Sequence, residues 1–136
     1  MKYRMTTLAL ALGLLAMPAF AADEHKHADV KVTPKFATDL ADLPGKEGLM
    51  ITVEFPPGHV SEPHRHEAHT FVYVLEGNID MQVTGGELKH LKPGDVFYEN
   101  PSDVHAVATN TSKTKPAKIL VVFVKNKGVA PVLPAK

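Results

Sequence analysis

The chain contains no cysteine, so thiol catalysis, thiolate metal ligands and disulfide bonds are all excluded. Acidic and basic residues balance at 15 each, and the lysines form no dense cluster. Nucleic acid and anionic membrane surfaces are therefore poor candidates for partners. Beyond residue 22 there is no apolar run long enough to cross a membrane and no sustained helical periodicity. These absences point to one small domain built without long helices.

The start of the chain has the pattern of a secretory signal peptide. Lys2 and Arg4 precede an uncharged run over residues 8–22, and a small-residue Ala-Phe-Ala pattern lies near its end. The run is shorter than the roughly 20 apolar residues of a membrane span, and Pro18 interrupts it. We therefore predict a signal peptide over residues 1–21 and a secreted protein, located in the bacterial periplasm.

The next segment, residues 22–32, is polar and lacks apolar periodicity, which is typical of a flexible tail. It contains His25 and His27, a spacing that can bind copper or nickel weakly, although we interpret both as solvated tail residues. The remainder, residues 33–136, is long enough for one domain with its own core.

Short apolar runs separated by turn residues fill the chain from residue 49 onward. The runs are LMITVEF, TFVYVLE, NIDMQVT, ELKHL, VFYE, VHAVAT and AKILVVFVK. Glycine, proline and asparagine mark most of the gaps between them. This pattern predicts an all-β sandwich or barrel. For residues 33–43 a Thr-Pro pair would suit a helix start, but the length favours another strand.

Three histidines stand close together in the stretch PHRHEAHTFVYVLEG. If His64 and His66 lie on a strand they share one face, with their imidazoles roughly 7 Å apart along the chain. A catalytic divalent metal usually takes three protein ligands. His105 follows turn residues 100–103 and starts an alternating run, so it is the best candidate for a third ligand from another strand. A solvated polar loop explains the same spacing equally well.

The spacing of these residues resembles two motifs of the cupin superfamily. Residues 58–77 resemble the first motif, and residues 94–110 resemble the second. The matching positions are Gly58, His64, His66 and Gly77 in the first motif, and Gly94 and His105 in the second. The resemblance covers about residues 49–124. It implies a double-stranded β-helix, a jelly-roll-like barrel, with the three histidines around one divalent metal.

One ligand position departs from that family pattern. The glutamate of the first motif falls at Thr70, and a threonine hydroxyl is a poor ligand for a divalent ion. On a regular strand His69 faces the other way, although a β-bulge would turn it inward. Two models follow: a three-histidine site with Thr70 beside the metal, or a four-histidine site that includes His69.

Both models lack a carboxylate, so the metal would keep its full charge and favour an anionic or enolate oxygen ligand. Neutral imidazoles suit transition metals, and we expect one ion of iron, nickel, copper, zinc or manganese. For the substrate pocket, Tyr98 and Glu99 face opposite ways, and we predict that Tyr98 lines it with Thr70 and Met81. We interpret His59 and His90 as solvated.

The resemblance implies a cupin that binds one divalent metal and acts on a small oxygenated molecule, as a dioxygenase, isomerase or related metalloenzyme. The signal-peptide pattern adds that it is secreted. The alternatives are a module that holds a metal or small ligand without turnover, and a metal-free structural barrel. A homodimer is also expected, because the apolar run KILVVFVK would be an aggregation hazard as an uncovered edge strand.

Overall fold

The computed structural model describes residues 29–135. The predicted signal peptide, His25 and His27 lie outside these residues. The described chain forms ten strands: β1 (Lys31–Asp39), β2 (Lys46–Phe55), β3 (His64–Arg65), β4 (Ala68–Glu76), β5 (Ile79–Val83), β6 (Lys89–Leu91), β7 (Val96–Glu99), β8 (Val104–Thr109), β9 (Ala117–Asn126) and β10 (Leu133–Pro134). No helix in this part of the chain is long and apolar enough to span a membrane.

The strands form two antiparallel five-stranded sheets, with the orders β1-β2-β9-β4-β7 and β10-β3-β8-β5-β6. The all-β prediction is confirmed, and each of the seven apolar runs contributes a strand. Residues 33–43 supply most of β1, as their length predicts. The strand begins earlier than expected, at Lys31 opposite Glu54, so the last two residues of the predicted tail belong to the sheet.

The core lies between the two sheets, because alternate side chains on the central strands point inward. On β4 the side chains of Val72 and Val74 are buried, while Phe71 and Tyr73 point outward, as the alternation of a regular strand requires. Burying a valine, leucine, isoleucine or phenylalanine side chain contributes roughly 1.5–3 kcal/mol. The core side chains are Ile51, Val53, Phe55, Ala68, Val72, Val74, Ile79, Met81, Leu91, Ala108, Ala117, Ile119, Val121 and Phe123.

The strand β9 is central rather than at an edge. It pairs with β2 on one side and β4 on the other, so its backbone hydrogen bonds are satisfied within the sheet. The edge strands of this sheet are β1 and β7. The sequence argument for a homodimer therefore placed β9 wrongly in the sheet, and the homodimer itself stays a prediction.

A β-bulge in β8 changes which of its residues face the core. Val83 pairs with His105, but Gln82 pairs with Val107, so Ala106 is an extra residue in β8. On a regular strand, Val107 and Thr109 would share the face of His105. With the extra residue, Ala108 is buried beside His105 instead.

Candidate metal centre

Two paired strands and the segment after the first of them bring the imidazoles of His64, His66 and His105 together. His64 on β3 pairs directly with His105 on β8. His66 follows β3 by one residue, where the chain passes from one sheet to the other. One ligand atom from each histidine lies within 4.8 Å of the other two. Such spacing allows all three imidazoles to reach a single ion.

Backbone carbonyls orient two of the three rings. The Nδ1–H group of His64 donates to the carbonyl of Glu62 at 2.8 Å, and that of His66 donates to the carbonyl of Pro131 at 2.5 Å. These bonds leave Nε2 of each ring as the free nitrogen. A hydrogen bond of this kind from the second nitrogen is usual for metal-binding histidines, since it fixes the tautomer and the ring direction.

The surroundings keep the buried histidines in their neutral, ligand form. The pKa of His105 is lowered to about 3, mainly by burial and to a smaller extent by the neighbouring His64 and His66. Burial also lowers the pKa of His66, against the opposing effect of its hydrogen bond to Pro131. Metal binding requires neutral imidazole, so neither ring needs to lose a proton at neutral pH.

Glu99 places a carboxyl group beside the histidines, although the glutamate position of the first motif is Thr70. It lies at the end of β7, directly opposite Thr70 on β4. Its Oε1 atom is 3.4 Å from Nδ1 of His105, and its Oε2 atom is 3.7 Å from Nε2 of His66. Burial raises the pKa of this carboxyl to about 8, with a smaller contribution from Asp103. The expectation of a centre without a carboxylate is therefore corrected.

The donor atoms fit a divalent transition metal. Within residues 29–135, both ring nitrogens of His105 and Oε2 of Glu99 are buried without a hydrogen-bond partner. An unsatisfied buried polar group costs roughly 1–3 kcal/mol, so each such atom needs a reason to be there. Three imidazole nitrogens within 4.8 Å of one another are a donor set that iron, nickel, copper, zinc and manganese accept.

His69 does not join this cluster. Its side chain is exposed on the outer face of β4, where Nδ1 lies 2.7 Å from the hydroxyl of Tyr98. No bulge turns it inward, because β4 pairs in regular register with β9 from Ala68 to Val74. The structure thus assembles the three-histidine arrangement and not the four-histidine one.

Two of the three predicted pocket residues face the interior between the sheets, and one faces outward. Thr70 and Met81 line the cavity beside the histidines. Tyr98, which we predicted to line the pocket, lies on the outer face of the sheet. Its neighbour Glu99 faces the cavity instead. The strand alternation showed that one of this pair points inward, but the choice depends on how β7 pairs with β4. His59, interpreted as solvated, also lines the cavity.

The cavity above the histidines encloses about 430 Å³. This volume lies within the roughly 300–1,000 Å³ of small-molecule pockets. Its walls are mostly apolar side chains of both sheets, with the histidine cluster and Glu99 among them. Polar groups gathered in an apolar cavity are the usual arrangement of a ligand site.

Residues 51–123 match the family model described as a cupin domain. The chain belongs to the cupin superfamily. It is 32% identical over 62 residues to the pectin degradation protein KdgF of Dickeya dadantii, covering 45% of this chain and 56% of the relative. It is 32% identical over 94 residues to the cupin-domain-containing oxidoreductase srdB of Neurospora crassa, covering 68% and 47%. This cupin thus spans about half the length of the curated relatives it matches.

Solved structures agree with that assignment. The DMSP lyase DddQ of Ruegeria pomeroyi superimposes with a TM-score of 0.56 at 28% identity, over 63% of this chain and 42% of that one. The predicted β-barrel fold of the cupin superfamily is confirmed.

Proposed function

We propose that this cupin binds one divalent transition metal through His64, His66 and His105, and that Glu99 lies beside the ion as a fourth ligand or as an acid-base group. The proposal rests on one observation: three imidazoles converge within 4.8 Å, beside a buried carboxylate, at an apolar cavity. A purely structural barrel offers no reason to bury the unpartnered atoms of His105 and Glu99 together.

We propose that the protein acts on a small oxygenated organic molecule, with oxygenase or isomerase chemistry. The metal, when bound, would supply Lewis-acid polarisation of an oxygen atom of that molecule. Glu99 faces the same cavity with a pKa of about 8, so it can hold or accept a proton near neutral pH. Most of the side chains around these groups are apolar. The names of an oxidoreductase and a lyase among the similar proteins support small-molecule chemistry.

Elemental analysis of the untagged protein tests the metal centre. We expect about one metal ion per chain in the wild type, and its loss in His64→Ala and His105→Ala. The matched controls are His69→Ala and His90→Ala, which remove exposed imidazoles away from the cluster. A wild type that takes up no iron, nickel, copper, zinc or manganese, or controls that lose metal as completely as His105→Ala, would contradict the proposal.

A second function, ligand holding without turnover, is favoured by the position of Glu99. Three histidines and one carboxylate can complete a four-coordinate site, and a closed site is typical of structural metals. The number of metal-bound water molecules, measured by relaxation of solvent protons around a Mn²⁺-loaded sample, distinguishes the two. An exchangeable water supports catalysis, and its absence supports the holding function.

We also propose that the protein is exported to the periplasm. The support is the pattern of Lys2, Arg4 and the uncharged run that follows. The mature chain is then expected to begin at Ala22. Intact mass measurement of the protein recovered from the periplasmic fraction tests this, and a chain that retains residues 1–21 would contradict it.

A further inference from the structure

The cavity offers no positive side chain to a ligand. Within residues 29–135, neither lysine nor arginine lines it. Apart from the histidine cluster, Glu99 and Thr70, the polar side chains in its wall are His59, Ser61 and Glu62. His59 and Ser61 lie 3.2 Å apart in a shared contact, and Glu62 carries a negative charge. A negative group of the ligand would therefore find its only strong partner at the metal centre.

Apolar side chains from three separate segments surround the opening of the cavity. They are Val32 on β1, Val60 in the loop before β3, and Val132 just before β10. These valines are 55%, 66% and 53% exposed, although all three line the cavity. Exposed apolar side chains grouped around a concave site mark a surface that a ligand or partner covers.

Backbone contacts hold these valines in place relative to the histidines. Val60 forms a β-bridge with Thr109, at the end of the strand that carries His105. Val132 follows Pro131, whose carbonyl accepts the hydrogen bond from His66. The mouth of the cavity is therefore fixed by the same backbone contacts that position the histidines, which reduces the entropic cost of ordering it around a ligand.

The lack of lysine and arginine in the described wall limits the charge of the ligand. One neutral or singly negative oxygen group can bind the metal, whereas a second negative group on the ligand would lie among apolar walls. Burying an unpaired charge is strongly unfavourable. Dicarboxylates, sugar diacids and phosphate esters are therefore poor candidates.

Resting on the proposed metal centre, we propose that the ligand is an amphiphilic molecule. It carries one neutral or singly negative oxygen head group that binds the metal, and an apolar body of several carbons. That body runs along the cavity and contacts Val32, Val60 and Val132. The volume of about 430 Å³ accommodates such a molecule.

A series of straight-chain hydroxamic acids tests this inference, because the head group stays constant while the apolar body grows. The protein is loaded with Co²⁺, and binding of each hydroxamate is followed through the visible absorption of the metal. We expect acetohydroxamate to bind weakly, and each added methylene up to octanohydroxamate to tighten binding by about two- to fourfold. Oxalate, a dianion without an apolar body, should bind more weakly than octanohydroxamate.

Variants test whether the increase in affinity with chain length arises at the mouth of the cavity. In Val60→Ser/Val132→Ser, we expect the ratio of octano- to acetohydroxamate affinity to fall at least about fivefold. The control is Val96→Ser, which changes a valine that is 70% exposed on the outer face of β7 and should keep the full ratio. All three valines are exposed, so neither variant removes part of the core.

The outcomes separate this inference from the proposed function. Failure to load metal overturns the metal centre and the inference with it. Metal uptake without binding of any hydroxamate overturns the inference alone, because a closed metal site without turnover would behave in that way. Affinity that does not depend on chain length, tighter binding of oxalate than of octanohydroxamate, or an unchanged ratio in Val60→Ser/Val132→Ser overturns the amphiphile alone. An equal fall of the affinity ratio in Val96→Ser also overturns the amphiphile, because the effect of chain length would then not depend on the valines at the mouth of the cavity.

Discussion

Thr70 and Glu99 are directly paired across strands β4 and β7, and both are 1% exposed. Thr70 occupies the position at which the first cupin motif places a glutamate. Glu99 therefore brings a carboxylate to the same part of the cavity from the neighbouring strand. Directly opposite residues of an antiparallel pair have their Cβ atoms roughly 4.5–5.5 Å apart, so exchanging the two side chains moves the carboxylate by a short distance only.

This relationship predicts the result of an exchange experiment. Glu99→Gln should weaken metal binding about 10- to 100-fold, the usual effect of losing a group that supports a metal. Thr70→Glu/Glu99→Thr should recover most of that affinity, because the carboxylate returns to the cavity from the opposite strand. Competition with a chromogenic chelator measures both. Equal affinity in Glu99→Gln and wild type would show that the carboxylate does not interact with the metal.

Metal uptake should release a proton from Glu99. Its pKa of about 8 leaves the carboxyl protonated at pH 6.5, while His105, with a pKa of about 3, is already neutral. A divalent ion favours the ionised carboxylate. Calorimetry in buffers of different ionisation enthalpy should therefore detect close to one proton released per metal in the wild type, and markedly less in Glu99→Gln. The same release from Glu99→Gln would assign the proton to another group.

The metal-free protein should lose stability as pH rises from 6.5 to 8. The pKa of Glu99 is raised from 4.5 to about 8 on folding. Between these pH values the folded state holds a proton on Glu99 that the unfolded state has lost, so the free energy of unfolding falls as pH rises through this range. His105 affects stability in the opposite direction, because its pKa is lowered from 6.5 to about 3. Its contribution to the free energy of unfolding is therefore complete above pH 6.5 and is lost on acidification. Above pH 6.5 the slope therefore belongs to Glu99.

Urea denaturation of the metal-free chain at several pH values measures this slope. The expected loss between pH 6.5 and 8 is on the order of 1–2 kcal/mol. The decline should be absent or much smaller in Glu99→Gln. An identical decline in both proteins would show that Glu99 does not hold its proton in the fold.

Gly77 should tolerate no side chain. It has φ of 67°, and a Cβ atom there would lie 2.4 Å from the carbonyl oxygen of Pro116. Gly85 has a similar φ of 79° but open space around the same position. Gly85→Ala should cost about 1 kcal/mol from the left-handed backbone alone, and Gly77→Ala should cost at least about 2 kcal/mol more. Chemical denaturation compares them, and equal losses would show that the close approach has no energetic effect.

The sequence by itself determined the strands and the identity of the three histidines. Alternation fixed the inward face of β4, because a period of two leaves only two choices and the apolar side chains select one. Spacing and the cupin resemblance together indicated His64, His66 and His105, because His-x-His places two imidazoles on one face. Gly77 marked the turn after the run TFVYVLE.

Only the tertiary structure decided which residues complete the site. Glu99 reaches the histidines because β7 pairs with β4 in a register that sets it against Thr70, and a one-residue slip would have turned Tyr98 inward instead. The bulge at Ala106 placed Ala108 beside His105, and distant segments brought Val32, Val60 and Val132 to one opening. These arrangements depend on contacts between residues far apart in the chain, and local periodicity carries no information about such contacts.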